Sequence, residues 1–325
     1  MELRKVLLAT LAYHDVFEYP LTSFEAWRFL VQPRRLGLSG LPDASLAAVI
    51  AELERLIQSG EVVEENGFYA LVGRRHIATE RLRREKIAAQ KWRTFLGSAR
   101  WLQLCPWIEG FFASGSLALG NTTADSDFDV LMIIKPGRLY AGRLFISAWT
   151  SLLGIRRTRA ERRAPDKLCF NHYITADCLE IRHQSLYNAQ TYARLVPVYI
   201  SADLDKKFFD ANAWIENFIL HSEPYQIVRH RTIQPNGFLR AAVRLAEWIL
   251  DHSIGDFLEH RAKRYQQRRI ANNPATHAAG GRVVYTDSEL EFHPRSFERT
   301  VLDHYNRALR ELSVSHISEP DSGLN

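Results

Sequence analysis

Two neighbouring segments constrain the fold more than any other part of the chain. The first, residues 112–120, is an apolar stretch that runs into Gly115 and Ser116; the second, residues 125–134, starts with Asp127 and Asp129 and continues as apolar residues. This order predicts a strand, a turn, a short helix and a second strand. Residues two apart on a strand point to the same face, so the two carboxylates should project side by side.

Paired carboxylates create an electrostatic conflict that a cation resolves. Adjacent carboxylates repel each other, which raises the pKa of one of them or requires a positive charge between them. A divalent metal fits this role, because Mg²⁺ commonly binds one or two carboxylates together with substrate phosphates. Gly115 allows close approach of a ligand to the backbone, and Ser116 adds a hydroxyl beside free amides at a helix start. These residues are expected to hold a metal-bound triphosphate.

The pattern resembles the nucleotidyltransferase superfamily typified by DNA polymerase β. The shared motif is an apolar strand, Gly115-Ser116, ten further residues, and Asp127 and Asp129 at the start of the next strand. The resemblance implies that Gly115, Ser116 and Ser126 bind the nucleotide, and that the two aspartates are catalytic and hold Mg²⁺ or Mn²⁺. It also implies transfer of a nucleoside monophosphate from a nucleoside triphosphate, expected to be ATP, to a hydroxyl, with release of pyrophosphate.

A third carboxylate on a neighbouring strand usually completes the site in that superfamily. The aligned position here is Asn171, which is neutral, on a strand predicted over residues 168–174. Glu180, on a short strand predicted over residues 179–181, is the candidate replacement, although the pattern favours an exposed strand residue there. Two functions therefore stay open. One is a metal-dependent nucleotidyltransferase; the other is a catalytically weak, nucleotide-sensing regulatory or binding protein.

Residues 1–75 are predicted to form a winged helix-turn-helix-like domain. Its third helix can be capped by Asp43 and ended by Gly60, and Asn66-Gly67 between apolar residues predicts a β-hairpin. Residues 43–65 carry six acids and one base. Because contacts to nucleic-acid phosphates require Lys or Arg, we expect a protein-contact or structural role here, and we do not expect this domain to bind DNA.

Basic residues are concentrated in three other places. A predicted connecting helix carries nine Lys and Arg between residues 74 and 100, and two further clusters cover residues 156–163 and 263–269. Each could be a solvated face, but the 156–163 cluster could also contact a triphosphate or a polyanionic acceptor. Any nucleic-acid affinity is expected from the 156–163 cluster or from Arg81, Arg83 and Arg84.

The predicted fold class is α+β in three parts. Residues 1–75 form the winged-helix domain, and residues 76–185 form the basic connecting helix and a polymerase β-like nucleotidyltransferase core with a mixed sheet and helices on one face. Residues 186–325 form a mainly helical domain in which residues 282–285 and 290–292 pair briefly. The resemblance implies that such a helical domain forms the far wall of the cleft and holds the base or the acceptor.

Composition indicates an ordinary folded protein. The chain is 46% hydrophobic and 24% charged, which is typical of globular domains. It shows no apolar run of bilayer length, no signal-peptide pattern and no cysteine spacing typical of a zinc site or disulfide framework. We therefore expect a cytoplasmic protein without a membrane partner. The acceptor, whether a small molecule, a protein or RNA, and the oligomeric state are left open.

Overall fold

The computed structural model describes residues 2–158, 161–201, 203–222, 229–294 and 296–314. Within these residues the chain is an α+β protein with a mixed six-stranded sheet and a separate two-stranded hairpin. Its α-helices are α1 (Glu2–Asp15), α2 (Ser23–Arg28), α3 (Leu46–Gln58), α4 (His76–Ala99), α5 (Gly115–Leu119), α6 (Leu139–Leu152), α7 (Leu186–Tyr192), α8 (Leu204–Ala211), α9 (Gly237–Leu250), α10 (Ser253–Ala271) and α11 (Glu298–Glu311). Its strands are β1 (Val62–Glu65), β2 (Phe68–Leu71), β3 (Ile108–Ala113), β4 (Phe128–Ile134), β5 (Leu168–Thr175), β6 (Val196–Ile200), β7 (Arg282–Tyr285) and β8 (Glu289–His293).

The large sheet has the strand order β6-β3-β4-β5-β8-β7. Strands β4 and β5 are parallel, and every other neighbouring pair is antiparallel. The parallel pair is joined through α6, as expected because parallel neighbours need a long crossover connection. The antiparallel pair β3 and β4 is joined through α5, which places the Gly115-Ser116 turn at the end of the sheet where β4 begins.

Alternate residues of the central strands enter two separate cores. Phe112 and Leu131 belong to one core, and Phe111 and Val130 belong to the other. Helices α1, α7, α8 and α11 contribute to the first core, and α4, α6 and α10 contribute to the second. The expectation of helices on one face is therefore too narrow, because the N-terminal helices and α11 cover the opposite face of the sheet.

The N-terminal 75 residues contain the three helices and the hairpin that the sequence predicts. Thr22 and Glu25 form a reciprocal capping box at α2, and Asn66 and Gly67 both have positive φ in the β1–β2 turn, as a two-residue hairpin loop requires. Helix α3 is capped by Ser45 rather than by Asp43. The Asp43 carboxylate instead accepts a hydrogen bond from the Ser45 amide, at 2.8 Å.

Residues beyond 185 are mainly helical, as predicted, but they also complete the sheet. Strand β6 pairs with β3, and β8 pairs with both β5 and β7, which confirms the predicted pairing near residues 282–292. His172 of β5 is buried and lies 2.9 Å from the Tyr192 hydroxyl and 3.2 Å from Glu289. Within the described residues, no helix is both long and apolar enough to cross a bilayer.

Candidate active site

The turn between β3 and α5 lies directly against the start of β4. The Ser114 amide donates a hydrogen bond to the backbone carbonyl of Asp129, at 3.0 Å. Gly115 follows with φ of +61°, and a Cβ atom built at this position would lie 2.3 Å from Asp129 Oδ2. A side chain at position 115 would therefore force the Asp129 carboxylate to move, and the left-handed backbone also favours glycine here.

Asp127 and Asp129 flank Phe128, which is fully buried in the second core. One carboxylate oxygen from each aspartate and the sulfur of Cys169, on the paired strand β5, all lie within 4.8 Å of one another. The proximity expected from alternation along β4 is therefore present. Gly115, Asp127 and Asp129 therefore lie together at the end of the sheet where β4 begins.

The environment of this carboxylate pair disfavours two negative charges. Burial and the neighbouring charge of Asp127 raise the pKa of Asp129 to about 7, although Arg157 and hydrogen bonds from Cys169 and Asn171 act in the opposite direction. The Arg157 guanidinium donates to Asp127 Oδ2, at 2.5 Å. In this arrangement one carboxylate is balanced by an arginine, whereas the other keeps a proton near neutral pH.

The donor atoms at the site suit a hard divalent cation. Two carboxylates supply the oxygen ligands that Mg²⁺ and Mn²⁺ prefer. Burial and the charges of Asp129 and Asp127 raise the pKa of the Cys169 thiol far above its usual range, so Cys169 stays protonated and is a poor ligand for such an ion. A cation between the two carboxylates would replace the proton on Asp129 and the charge of Arg157.

Asn171 occupies the place beside Asp129 where a third carboxylate was expected. Its amide nitrogen donates to Asp129 Oδ1, at 3.0 Å. The strand predicted over residues 179–181 does not form, and the side chain of Glu180, the candidate replacement, is exposed. Glu180 accepts a hydrogen bond from Gln184, at 3.3 Å, and does not belong to the group of candidate metal ligands at Asp127 and Asp129.

The two serines assigned to nucleotide binding have different surroundings. Ser116 lies in the first turn of α5 and is half-buried, and its hydroxyl makes no hydrogen bond to any other described residue. The Ser126 hydroxyl accepts from the Thr123 amide, at 3.0 Å, and so closes the turn that leads into Asp127. Ser116 is therefore the better placed of the two to receive a ligand.

Two basic residues reach the site from parts of the chain distant in sequence. Arg157, from the cluster at 156–163, contacts Asp127. Lys91 of α4 donates to Asp166 and to the Ser126 carbonyl, both at 2.8 Å. The sequence indicated the 156–163 cluster as a possible part of the site, but it did not indicate Lys91. Lys91 is one of many basic residues on a long helix, and nothing in the neighbouring sequence distinguishes it from the others.

Other charged residues near β4 belong to the opposite end of the strand. Lys135 and Arg138 pair with Asp251, and Glu247 accepts from the Trp107 amide, at 2.6 Å. These contacts attach α9 to the end of the sheet where β4 finishes, so they lie away from the aspartate pair.

Comparisons of the chain with protein-family models, with curated proteins and with solved structures find no match.

Proposed function

We propose that the chain is a metal-dependent nucleotidyltransferase of the DNA polymerase β-like superfamily. It would move a nucleoside monophosphate from a nucleoside triphosphate, ATP by expectation, to a hydroxyl acceptor with release of pyrophosphate. The observation that carries the proposal is the packing of Gly115 against Asp129 beside Asp127. A backbone turn without a side chain, next to two carboxylates, offers a place where metal and phosphate can meet.

In this proposal Asp127 and Asp129 hold Mg²⁺ or Mn²⁺. When bound, the metal supplies a Lewis acid that activates the acceptor hydroxyl and stabilises charge on the phosphoryl oxygens. Ser116 orients the terminal phosphates through its hydroxyl, and Gly115 lets this turn pack directly against Asp129. With a cation held by Asp127, Arg157 would no longer be needed to balance that carboxylate, and its planar guanidinium would be free to bind a phosphate oxygen pair.

The N-terminal unit supports a winged-helix assignment in this proposal. Three helices precede the β1–β2 hairpin, and an isolated antiparallel bridge joins Leu21 to Tyr69 of β2. Carboxylates of this unit pair with its own arginines: Glu61 binds Arg4. The acidic character of α3 and β1 still favours contact with a protein over contact with DNA.

A second candidate function is a nucleotide-sensing protein with little transfer activity. Asn171 favours it, because an amide beside Asp129 supplies a weaker metal ligand than a carboxylate would. The substitution Asn171→Asp separates the two candidates. Transfer that rises in this variant would show that the missing carboxylate limits catalysis, whereas nucleotide binding without transfer in both proteins would favour the sensor.

The main test measures nucleotide-dependent stabilisation and label transfer together. Each of four labelled nucleoside triphosphates is incubated with the chain, Mg²⁺ or Mn²⁺ and a cell extract, and thermal shifts are recorded with and without metal. We expect a metal-dependent shift in the wild type and none in Asp127→Asn or Asp129→Asn. Because removing one of two repelling carboxylates relieves their repulsion, both variants should stay folded.

Asp125→Asn is the matched control. Asp125 lies two residues before the pair, is exposed, and pairs with Arg163 at 3.2 Å. The control should keep the wild-type shift. Equal shifts in the wild type and in the Asp127 and Asp129 variants would place the nucleotide elsewhere and end the proposal.

A further inference from the structure

The arginines of α4 are mostly neutralised by carboxylates. Arg81 pairs with Glu25, and both Arg83 and Arg84 pair with Glu80. A phosphate would have to displace these carboxylates before it could bind. The long basic helix is therefore a poor surface for a polyanion, despite its charge in the sequence.

The basic residues of helix α10 have different surroundings from those of α4. Five exposed residues of α10 recur along one face at the helical spacing, and Asn272 continues this face directly after the helix. We call these residues the α10 arginine strip: Arg261, Arg264, Tyr265, Arg268, Arg269 and Asn272. None of its four arginines forms an ion pair with a described carboxylate, and residues 260–286 contain no Asp or Glu. Tyr265, in the middle of the strip, is 56% exposed.

The buried face of α10, opposite the strip, determines that the strip faces solvent. Ala262, Gln266 and Ile270 are buried, and the Gln266 amide donates to the Tyr140 carbonyl of α6, at 2.7 Å. Packing on α6 therefore holds the arginines toward solvent. The charges stay close together without a compensating carboxylate, which is unfavourable unless an anion binds them.

We propose that the α10 arginine strip binds the backbone of single-stranded RNA. Guanidinium groups match phosphate geometry, and the strip extends over about 16 Å of helix, which is enough for several consecutive phosphates. An exposed tyrosine between arginines is a stacking platform for an unpaired base. A duplex keeps its bases stacked on each other and would leave Tyr265 without this role.

A ligand that contacts both the strip and the aspartate pair would have to be polymeric. Gln266 lies over Tyr140 at the start of α6, near the end of β4, whereas the aspartate pair lies at the beginning of β4, about 20 Å away along a seven-residue strand. A small acceptor cannot touch both places, but an RNA strand can. The inference rests on the proposed function in one respect only, the assignment of this RNA as the acceptor.

The test is fluorescence anisotropy with a fluorescein-labelled 20-nucleotide oligouridylate and no nucleoside triphosphate. Four phosphate contacts predict that raising salt from 50 to 200 mM weakens wild-type binding roughly 50-fold. In the double variant Arg264→Gln, Arg268→Gln the same change should weaken binding only about 7-fold. Tyr265→Ala should weaken binding roughly 5- to 150-fold without altering the salt dependence.

The matched control removes two exposed arginines that already have carboxylate partners. The double variant Arg55→Gln, Arg75→Gln loses the same charge as the strip variant, from side chains that pair with Glu52 and Glu65, and it should bind oligouridylate like the wild type. If both double variants bind oligouridylate equally weakly, the loss of binding reflects net charge alone, and the inference is overturned.

Two competing ligands are tested alongside. Phe257 and Leu258, earlier on α10, are also exposed, so vesicles with phosphatidylserine are one arm and a 20-base-pair DNA duplex is the other. Binding of either that equals oligouridylate and depends on Arg264 and Arg268 would overturn the RNA assignment. Asp129→Asn should still bind oligouridylate. A wild-type chain that binds oligouridylate but shows no metal-dependent nucleotide shift would count against the proposed function and not against the strip.

Discussion

At the scale of single residues, the contact between Gly115 and Asp129 makes a sharp prediction. Gly115→Ala should destabilise the chain by about 2 kcal/mol or more, since a left-handed backbone costs alanine about 1 kcal/mol and its Cβ would meet Asp129 Oδ2. Metal-dependent nucleotide binding should be lost as well. Urea unfolding and thermal shift with Mg²⁺ and nucleotide measure the two effects.

Gly120→Ala is the control for that substitution. Gly120 ends α5 with φ of +74°, and no atom lies within 4 Å of a Cβ built there. This variant should lose about 1 kcal/mol of stability from backbone strain alone and should still bind nucleotide. Similar behaviour of the two variants would mean that the site tolerates a side chain at position 115.

A second residue-scale prediction concerns pH. Because the pKa of Asp129 is raised to about 7, the folded chain keeps a proton that the unfolded chain releases near pH 4. The free energy of unfolding should therefore fall as pH rises from about 4 to about 7. Asn cannot titrate, so Asp129→Asn should gain stability relative to the wild type across this window and level off above it. Metal-free urea unfolding at several pH values measures the difference, and parallel profiles would contradict it.

Some residues of the candidate site could be predicted from nearby sequence, whereas others are placed by the packing of distant elements. Gly115, Asp127 and Asp129 could be predicted because strand alternation and a short turn fix their relation within fifteen residues. The placement of Glu180 depended on a predicted strand at 179–181, and that strand does not form. Lys91 approaches from another element, and its contact depends on how α4 packs, which spacing in the sequence does not encode.

At the scale of elements, Arg81 anchors α4 to the N-terminal unit. It makes two hydrogen bonds to Glu25, at 2.8 and 2.7 Å, and lies over the rings of Tyr19 and Phe68. Burial tends to raise the pKa of Glu25, but hydrogen bonds and charge from Arg81 outweigh this and hold it below its usual value. The helix is thus attached through a nearly buried ion pair rather than through its charged outer surface.

Arg81→Ala should therefore destabilise the chain by about 3–5 kcal/mol, because it leaves the Glu25 carboxylate without its partner. Arg83→Ala is the matched control on the same helix. Its side chain is 60% exposed and pairs with Glu80, so its loss should cost less than about 1 kcal/mol. Chemical denaturation of both variants checks the difference, and equal losses would show that burial of the pair contributes nothing.

Local elements were predicted well because their determinants are short-range. The α2 capping box and the Asn66-Gly67 turn are each set by residues within four positions of one another, and both are present. Strand β6 was missed because residues 196–200 follow a short helix and include Pro197, which weakens a strand pattern. Its pairing with β3 is decided by sheet assembly rather than by its own sequence.

At the scale of the whole molecule, the predicted nucleotidyltransferase segment does not contain its complete sheet. Both partners that flank β3 and β5, namely β6 and β8, come from residues beyond 185. Phe112 of β3 also packs on Phe208 of α8, with ring centroids 4.9 Å apart. The parts named from the sequence therefore share one sheet and one core, because strand pairing follows spatial order and not chain order.

The boundary at residue 185 leads to the last prediction. A fragment spanning residues 76–185 would leave the free edges of β3 and β5 with unpaired backbone groups, a known cause of aggregation. We expect this fragment to be insoluble or unfolded by gel filtration and circular dichroism. A chain ending at residue 314 keeps every described strand and should behave like the full chain. A soluble fragment that unfolds cooperatively would show instead that residues 76–185 fold as an independent domain.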